Sequence, residues 1–295
     1  MATTAGRDYP RAPSRLGSLV RAIGLLRESP VGMLGAAILL AWVVVAVIAP
    51  LLPLLDPNQA IAPFKFPGDV GPKGQVFWLG TDHKGRDILA RLIWGSRRVL
   101  VWATLATAVA YVVGMLMGVA AGYLGGWWDE AISFVANVLL SFPVMVLYII
   151  IITRLGSSGA NIVLAVTFAS APGIMRIVRG LVLDLKTRDY IFAAQTRGEP
   201  AWRIMLVELL PNARGPLIVD ACLRLGYTTI TIATLGFLGL GLPPPDPDWG
   251  QMIAEAVPVG VFAAHAMVIP ALAVSSLVLG FNLLADGLRE ISLKD

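Results

Sequence analysis

Asp189–Asn212, reading DYIFAAQTRGEPAWRIMLVELLPN, is a polar stretch set between two long apolar runs. Its acidic and basic residues exclude it from a bilayer, where each charge at mid-depth costs about 2.5–3.5 kcal/mol. Both halves nevertheless carry helix signals. Tyr190–Arg197 is Ala-rich, Gly198 suits a helix end, and Pro200 suits the first turn of a second helix. Pro211 is expected to stop that second helix. The segment reads as a helix–Gly–helix elbow held at a membrane surface and shaped to dock a soluble partner. An ordinary amphipathic loop between spans is the plainer alternative.

The rest of the chain supplies the membrane. Of 295 residues, 57% are hydrophobic and only 14% charged, with a mean hydropathy of +0.75. That balance excludes a soluble domain and implies an all-α, polytopic membrane protein. Runs long enough to cross about 30 Å of hydrocarbon fall at 31–55, 98–122, 131–154, 160–179, 213–240 and 264–285. Six transmembrane helices are therefore expected, with the elbow at 187–212 between the fourth and fifth. Gly156-Ser157-Ser158-Gly159 makes a tight hairpin between the third and fourth. Residues 1–30 are basic and have no early apolar core, so a retained cytoplasmic segment and a first span acting as anchor are expected. An even number of spans puts both termini on one side. With that side inside, fourteen Lys and Arg lie inside and eight outside, although the Lys84–Arg98 cluster opposes the trend.

Two outer loops stand out. In 56–97, Asp87–Trp94 has apolar residues at 88, 89, 92 and 93, the spacing of an interfacial amphipathic helix. Leu242–Met252, LPPPDPDWGQM, reads as a stiff extended segment followed by an aromatic. Trp42, Trp78, Trp94, Trp127, Trp128 and Trp249 sit near span ends, as an aromatic belt does.

Catalytic signatures are missing. There is no GxxxxGK[ST], GxSxG, HExxH or CxxC, and the lone Cys222 lies in an apolar run. His83 and His265 are far apart in sequence and do not suggest a metal site. Asp220 and Arg224 fall four apart in the fifth run and can pair on one helix face. They are either a snorkelling pair near the inner interface or a polar spot on a solute path. Thr228, Thr229, Thr231 and Thr234 face either a wet cavity or their own preceding helical turn. Gly236, Gly239 and Gly241 permit a bend or a close helix contact near the outer surface.

The elbow resembles the signature of the membrane subunits of binding-protein-dependent ABC importers: E-A-A, three residues, G, nine residues, I-x-L-P. Ala193, Ala194, Gly198 and Leu210-Pro211 match it, whereas Phe192 replaces the acidic residue and Glu208 the aliphatic one. Leu79-Gly80-Thr81-Asp82 with Gly85-Arg86-Asp87 and Arg91-Leu92 is similar to the loop after the first span in C-type subunits of dipeptide, oligopeptide and nickel importers. Gly236–Gly241 followed by Pro244, Pro247 and Trp249-Gly250 is similar to the fifth-span exit of that group.

The resemblance implies a permease of the bacterial cytoplasmic membrane with cytoplasmic termini, a peripheral first span, and a translocating core over 98–290. Its partners would be a second homologous permease subunit, two cytoplasmic ABC ATPase subunits, an extracytoplasmic binding protein and the lipid bilayer, with no nucleic acid. The chain itself would bind no cofactor, ATP and Mg being held by the ATPases. The coupling elbow would present Arg188, Asp189, Phe192, Ala193 and Ala194 from its first half, and Arg197, Gly198, Glu199, Trp202, Arg203 and Pro211 from its bend and second half. Ala193 and Ala194 would allow close approach to the ATPase, the arginines would reach acidic groups on it, and Asp189 or Glu199 would replace the acidic residue lost at 192. The path would pass Asp220, Arg224, Thr228 and Thr231. Peptides are the expected solute, with nickel complexes or oligosaccharides on the same architecture as alternatives. A passive channel would have no use for the elbow.

Overall fold

The computed structural model describes residues 29–243 and 245–292, so the expected cytoplasmic segment at the N-terminus lies outside the described residues, as do Pro244 and the last three positions. The first helix, α1 (Pro30–Ile48), is capped by Ser29, whose hydroxyl accepts from the Gly32 amide at 3.3 Å. One 3-10 turn (Ala49–Leu51) ends it, short of the expected residue 55, because Pro50 and Pro53 cannot donate to a continuing ladder.

The expected interfacial helix at 87–94 does not exist as a separate element. Asp87 accepts from the Ala90 amide at 3.1 Å and starts a single helix, α2 (Ile88–Leu124), of 37 residues. Nothing between Trp94 and Arg98 breaks the ladder, so the amphipathic turns and the apolar run fuse. At 1.5 Å per residue α2 is about 56 Å long and extends well beyond the hydrocarbon. Before it, 56–87 folds back on itself around a hairpin of β1 (Asp69–Val70) and β2 (Val76–Phe77).

The third run is likewise not one helix. α3 (Gly126–Leu140) and α4 (Val144–Leu155) meet at 87° across Ser141-Phe142-Pro143. Pro143 has no N–H for the preceding turn and bars Phe142 from helical geometry. Gly156 and Ser158 then turn the chain into α5 (Gly159–Leu185), with Ser158 as cap. α5 packs along α2 through glycines four apart. A Cβ at Gly114 would lie 2.6 Å from the Ile174 side chain, one at Gly118 2.6 Å from Val178, and one at Gly122 2.9 Å from Val182. Small residues permit this closeness, and close contact is what holds helices together in lipid.

After the elbow come α8 (Arg214–Phe237), the short α9 (Trp249–Ala256) and α10 (Ala264–Ser292). α1 lies against α10, with Gly35 beside Leu284, and Trp42 donates to the Ser276 hydroxyl at 2.9 Å. Among the described residues, five helices are long and apolar enough to cross a membrane, and the count is six when the bent pair α3–α4 is taken as one broken span.

The segment 242–252 is helical from residue 249, not extended throughout. Asp248 starts α9 by accepting from the Gly250 and Gln251 amides at 2.8 and 3.1 Å, and from Leu242 at 3.3 Å. Gly236 and Gly241 leave room for that carboxylate, and Gly239 turns the chain at φ +75°. Trp249 is fully buried; its indole donates to the Leu92 carbonyl at 3.0 Å and meets Trp42 edge-on at 5.0 Å. It belongs to the core and not to an interfacial belt. Trp78, Trp127 and Trp128 are well exposed, as belt residues are. The 56–87 fold and α9 are joined by charge. Glu255 pairs with Lys84 at 2.8 Å and with Arg86, which also binds Asp82 at 2.6 Å.

Candidate coupling elbow and membrane cavity

The elbow opens with α6 (Asp189–Thr196) and closes with α7, a helix over 201–212. Gly198 makes the bend at φ +74°, a conformation L side chains avoid, with open space where a Cβ would stand. Its role is conformational and has nothing to do with close packing. Glu199 braces the bend from inside, 2.8 Å from Arg197 and 3.7 Å from Arg203. Arg188 pairs with Asp184 at 3.2 Å. Each elbow arginine singled out from the sequence therefore already has a carboxylate of this chain.

Ala194 does not face outward. With Ile191, Ile204, Leu209 and Ala213 it is buried against Val178 and Val182 of α5 and Leu217 of α8. Phe192, Ala193 and Trp202 form the outward side and are exposed, and Asp189 is exposed in the first turn of α6. The helical period decides this split, since 191 and 194 share the inner face while 192 and 193 lie away from it. Tyr190 keeps its hydroxyl buried without a partner among the described residues, and burial pushes its pKa up.

α7 ends at Asn212, one residue past Pro211, near where Pro211 was expected to stop it, and the proline also acts on the turns before it. It cannot donate four residues back, and the ladder relaxes into a π segment over Ile204–Leu209 before resuming. Only Ala213 separates α7 from α8, so the elbow's second half runs directly into the fifth span.

Among the path candidates, Arg224 Nε donates to Asp220 at 2.7 Å, and Tyr111 of α2 donates to the same oxygen at 2.9 Å. The pair is partly buried, and the Arg224 guanidinium lies over Gly173, 3.6 Å from where its Cβ would stand. Thr228 is buried and bonds Thr107 at 2.9 Å, so it faces a helix interface and no cavity. Thr231 is partly buried and bonds Tyr148 of α4. Thr229 and Thr234 bond the carbonyls of Leu225 and Ile230 in their own helix. Cys222 is a free, partly buried thiol.

The sequence reading missed a second polar place. A cavity of about 450 Å³ opens between α3 and α5, lined by Ser133, Ala136, Asn137, Met175, Arg176 and Arg179. Arg179 binds Asp129 through two bonds of 2.5 and 2.6 Å, and Arg176 donates to the Asn137 side-chain oxygen at 2.7 Å. Ending the fourth run at 179 placed both arginines at a span terminus. α5 runs on to Leu185, which puts them about 9 and 14 Å inside the helix by its rise per residue. Pro143 within an apolar run was the available signal for the nearby break. No group of His, Cys, Asp and Glu among the described residues suits a metal ion.

The described residues thus form a helical bundle with a bent, partly polar elbow between α5 and α8. Residues 91–294 match the family described as binding-protein-dependent transport system inner membrane component, and the chain belongs to that family. It is 41% identical over 220 residues to a glutathione transport system permease protein, GsiD, of Pectobacterium atrosepticum, covering 75% of this chain and 73% of the relative. A dipeptide transport system permease protein, DppC, of Alkalihalophilus pseudofirmus is 34% identical over 270 residues, covering 90% and 86%. The fold is shared with a chain of the MetNI methionine ABC transporter in an inward-facing conformation, at a TM-score of 0.58 and 21% identity, covering 70% of this chain and 98% of that one.

Proposed function

We propose that this chain is a path-forming permease subunit for short peptides, driven by separate ATPase subunits that seat on the elbow. The observation that carries the reading is how the elbow is mounted. Its inner face is buried against α5 and α8, while Phe192, Ala193 and Trp202 project from the other face. A partner gripping the outer side therefore moves two spans as one body. Peptides are favoured because relatives covering most of the chain are named for glutathione and dipeptide transport.

In this reading a second homologous permease completes the path, two ABC ATPases hold ATP and Mg, and a binding protein delivers solute from the opposite side. The elbow and both termini lie in the cytoplasm. Nucleotide-driven closure of the ATPases draws the elbows together and rocks α5 and α8 from inward-open to outward-open. The test is reconstitution with its partner permease, ATPases and binding protein in liposomes. ATP-dependent uptake of a labelled dipeptide is expected; uptake without ATP, or no association with an ATPase, would refute the reading.

A further inference from the structure

The cavity between α3 and α5 holds more positive than negative charge. Arg179 is neutralised by Asp129, but Arg176 has only the neutral Asn137, and no carboxylate pairs with it among the described residues. Arg176 is exposed, nine residues before the end of α5, and an arginine on a membrane helix faces a watered or protein-covered surface or reaches the interface. The neighbouring backbone says which surface this is. Asn137 lies one turn before Ser141-Phe142-Pro143, where the span breaks and all three residues are exposed. Exposed non-helical backbone is not tolerated against lipid and occurs at membrane depth only where water or protein covers it. With the bent pair read as one broken span, Arg176 lies beside a wet or protein-covered surface and not beside acyl chains.

We propose that Arg176 is a solute-binding residue that takes the carboxylate of the translocated peptide, held in position by Asn137. The inference rests on the peptide-import reading. Asn137 engages one terminal nitrogen, and the remaining N–H groups suit a carboxylate, for which the planar fork of arginine is matched. Arg179, already held by two bonds to Asp129, lines the same cavity without offering a second free charge.

The test uses the complete transporter in liposomes with saturating peptide-loaded binding protein. Arg176→Gln is expected to slow dipeptide turnover roughly ten- to a hundredfold, the worth of one charged hydrogen bond, while half-saturation by the loaded binding protein is unchanged. Arg176→Lys should retain more of the rate. Asn137→Asp removes no volume and places a resident carboxylate on Arg176, so it should slow turnover comparably. It carries the test if Arg176→Gln fails to assemble. Wild-type turnover from an assembled Arg176→Gln or Asn137→Asp transporter overturns the proposal. So does a defect seen only in vesicles containing anionic phospholipid, which would assign Arg176 to a lipid headgroup. A wild-type complex that imports no peptide refutes the function reading itself, so the two failures are distinguishable.

Discussion

Gly198 holds the elbow open at φ +74°, and nothing surrounds it that a side chain would strike. A β-branched residue there is opposed only by its own backbone, at about 1–2 kcal/mol. Gly198→Val is therefore expected to reach the membrane in normal amount and to lose peptide uptake, because the angle between α6 and α7 changes while the bundle does not. Quantifying membrane-extracted protein beside uptake checks this; normal uptake would remove the elbow from the mechanism. Glu255 answers to pH. Burial raises its pKa, but the bonds from Lys84 and Arg86 outweigh burial and leave it below the usual 4.5. A depressed carboxyl contributes stability above its unfolded value and loses it as pH falls through the folded one. Wild type should thus unfold at a higher temperature than Glu255→Gln at pH 7, and the gap should close progressively below about pH 4.5. A gap that persisted in acid would contradict the ion-pair account.

Helices in this molecule are governed by where prolines and glycines fall within them. Pro211 shifts the ladder of α7 into a π segment, and one residue of extra winding corresponds to about 100° of rotation. Pro211→Ala restores the missing donor and should let α7 rewind, turning Trp202 relative to α8. The expected result is ATPase activity that persists but no longer drives uptake, read as the ratio of peptide imported to phosphate released. An unchanged ratio would show that the π segment is incidental. Gly118 is the middle contact between α2 and α5, where a Cβ would lie 2.6 Å from the Met175 carbonyl. Gly118→Leu should separate the two helices and remove the protein from the membrane fraction, whereas Gly180→Leu, with open space at its Cβ, should be accumulated normally.

The two ends of the bundle are built differently. On the far side from the elbow, the 56–87 fold, α9 and the starts of α2 and α10 enclose Trp249, and the Lys84–Arg86–Glu255 pairs tie the loop to α9. On the elbow side, buried Ile191, Ala194, Ile204 and Leu209 couple α6 and α7 to α5 and α8. Each end therefore moves with the helices it is packed on. The elbow's second half meets α8 with only Ala213 between them, the connection that the proposed coupling would use.

Apolar run length and local breakers made the all-α, multi-span fold and a bent polar elbow legible before any coordinates, because a bilayer requires about 20 apolar residues per span and Gly198 and Pro200 act on their own backbone. The same local rules were insufficient where the answer depended on what lay opposite. Composition did not show that Ala194 turns inward, that Trp249 is core, or that Thr228 is engaged by Thr107, since each depends on a neighbour distant in sequence. Nor did the limits of hydropathy reveal that α5 runs six residues past Arg179, setting two arginines against α3. Only the packing of α3 on α5 gave one of them a carboxylate and left the other, Arg176, with a neutral amide.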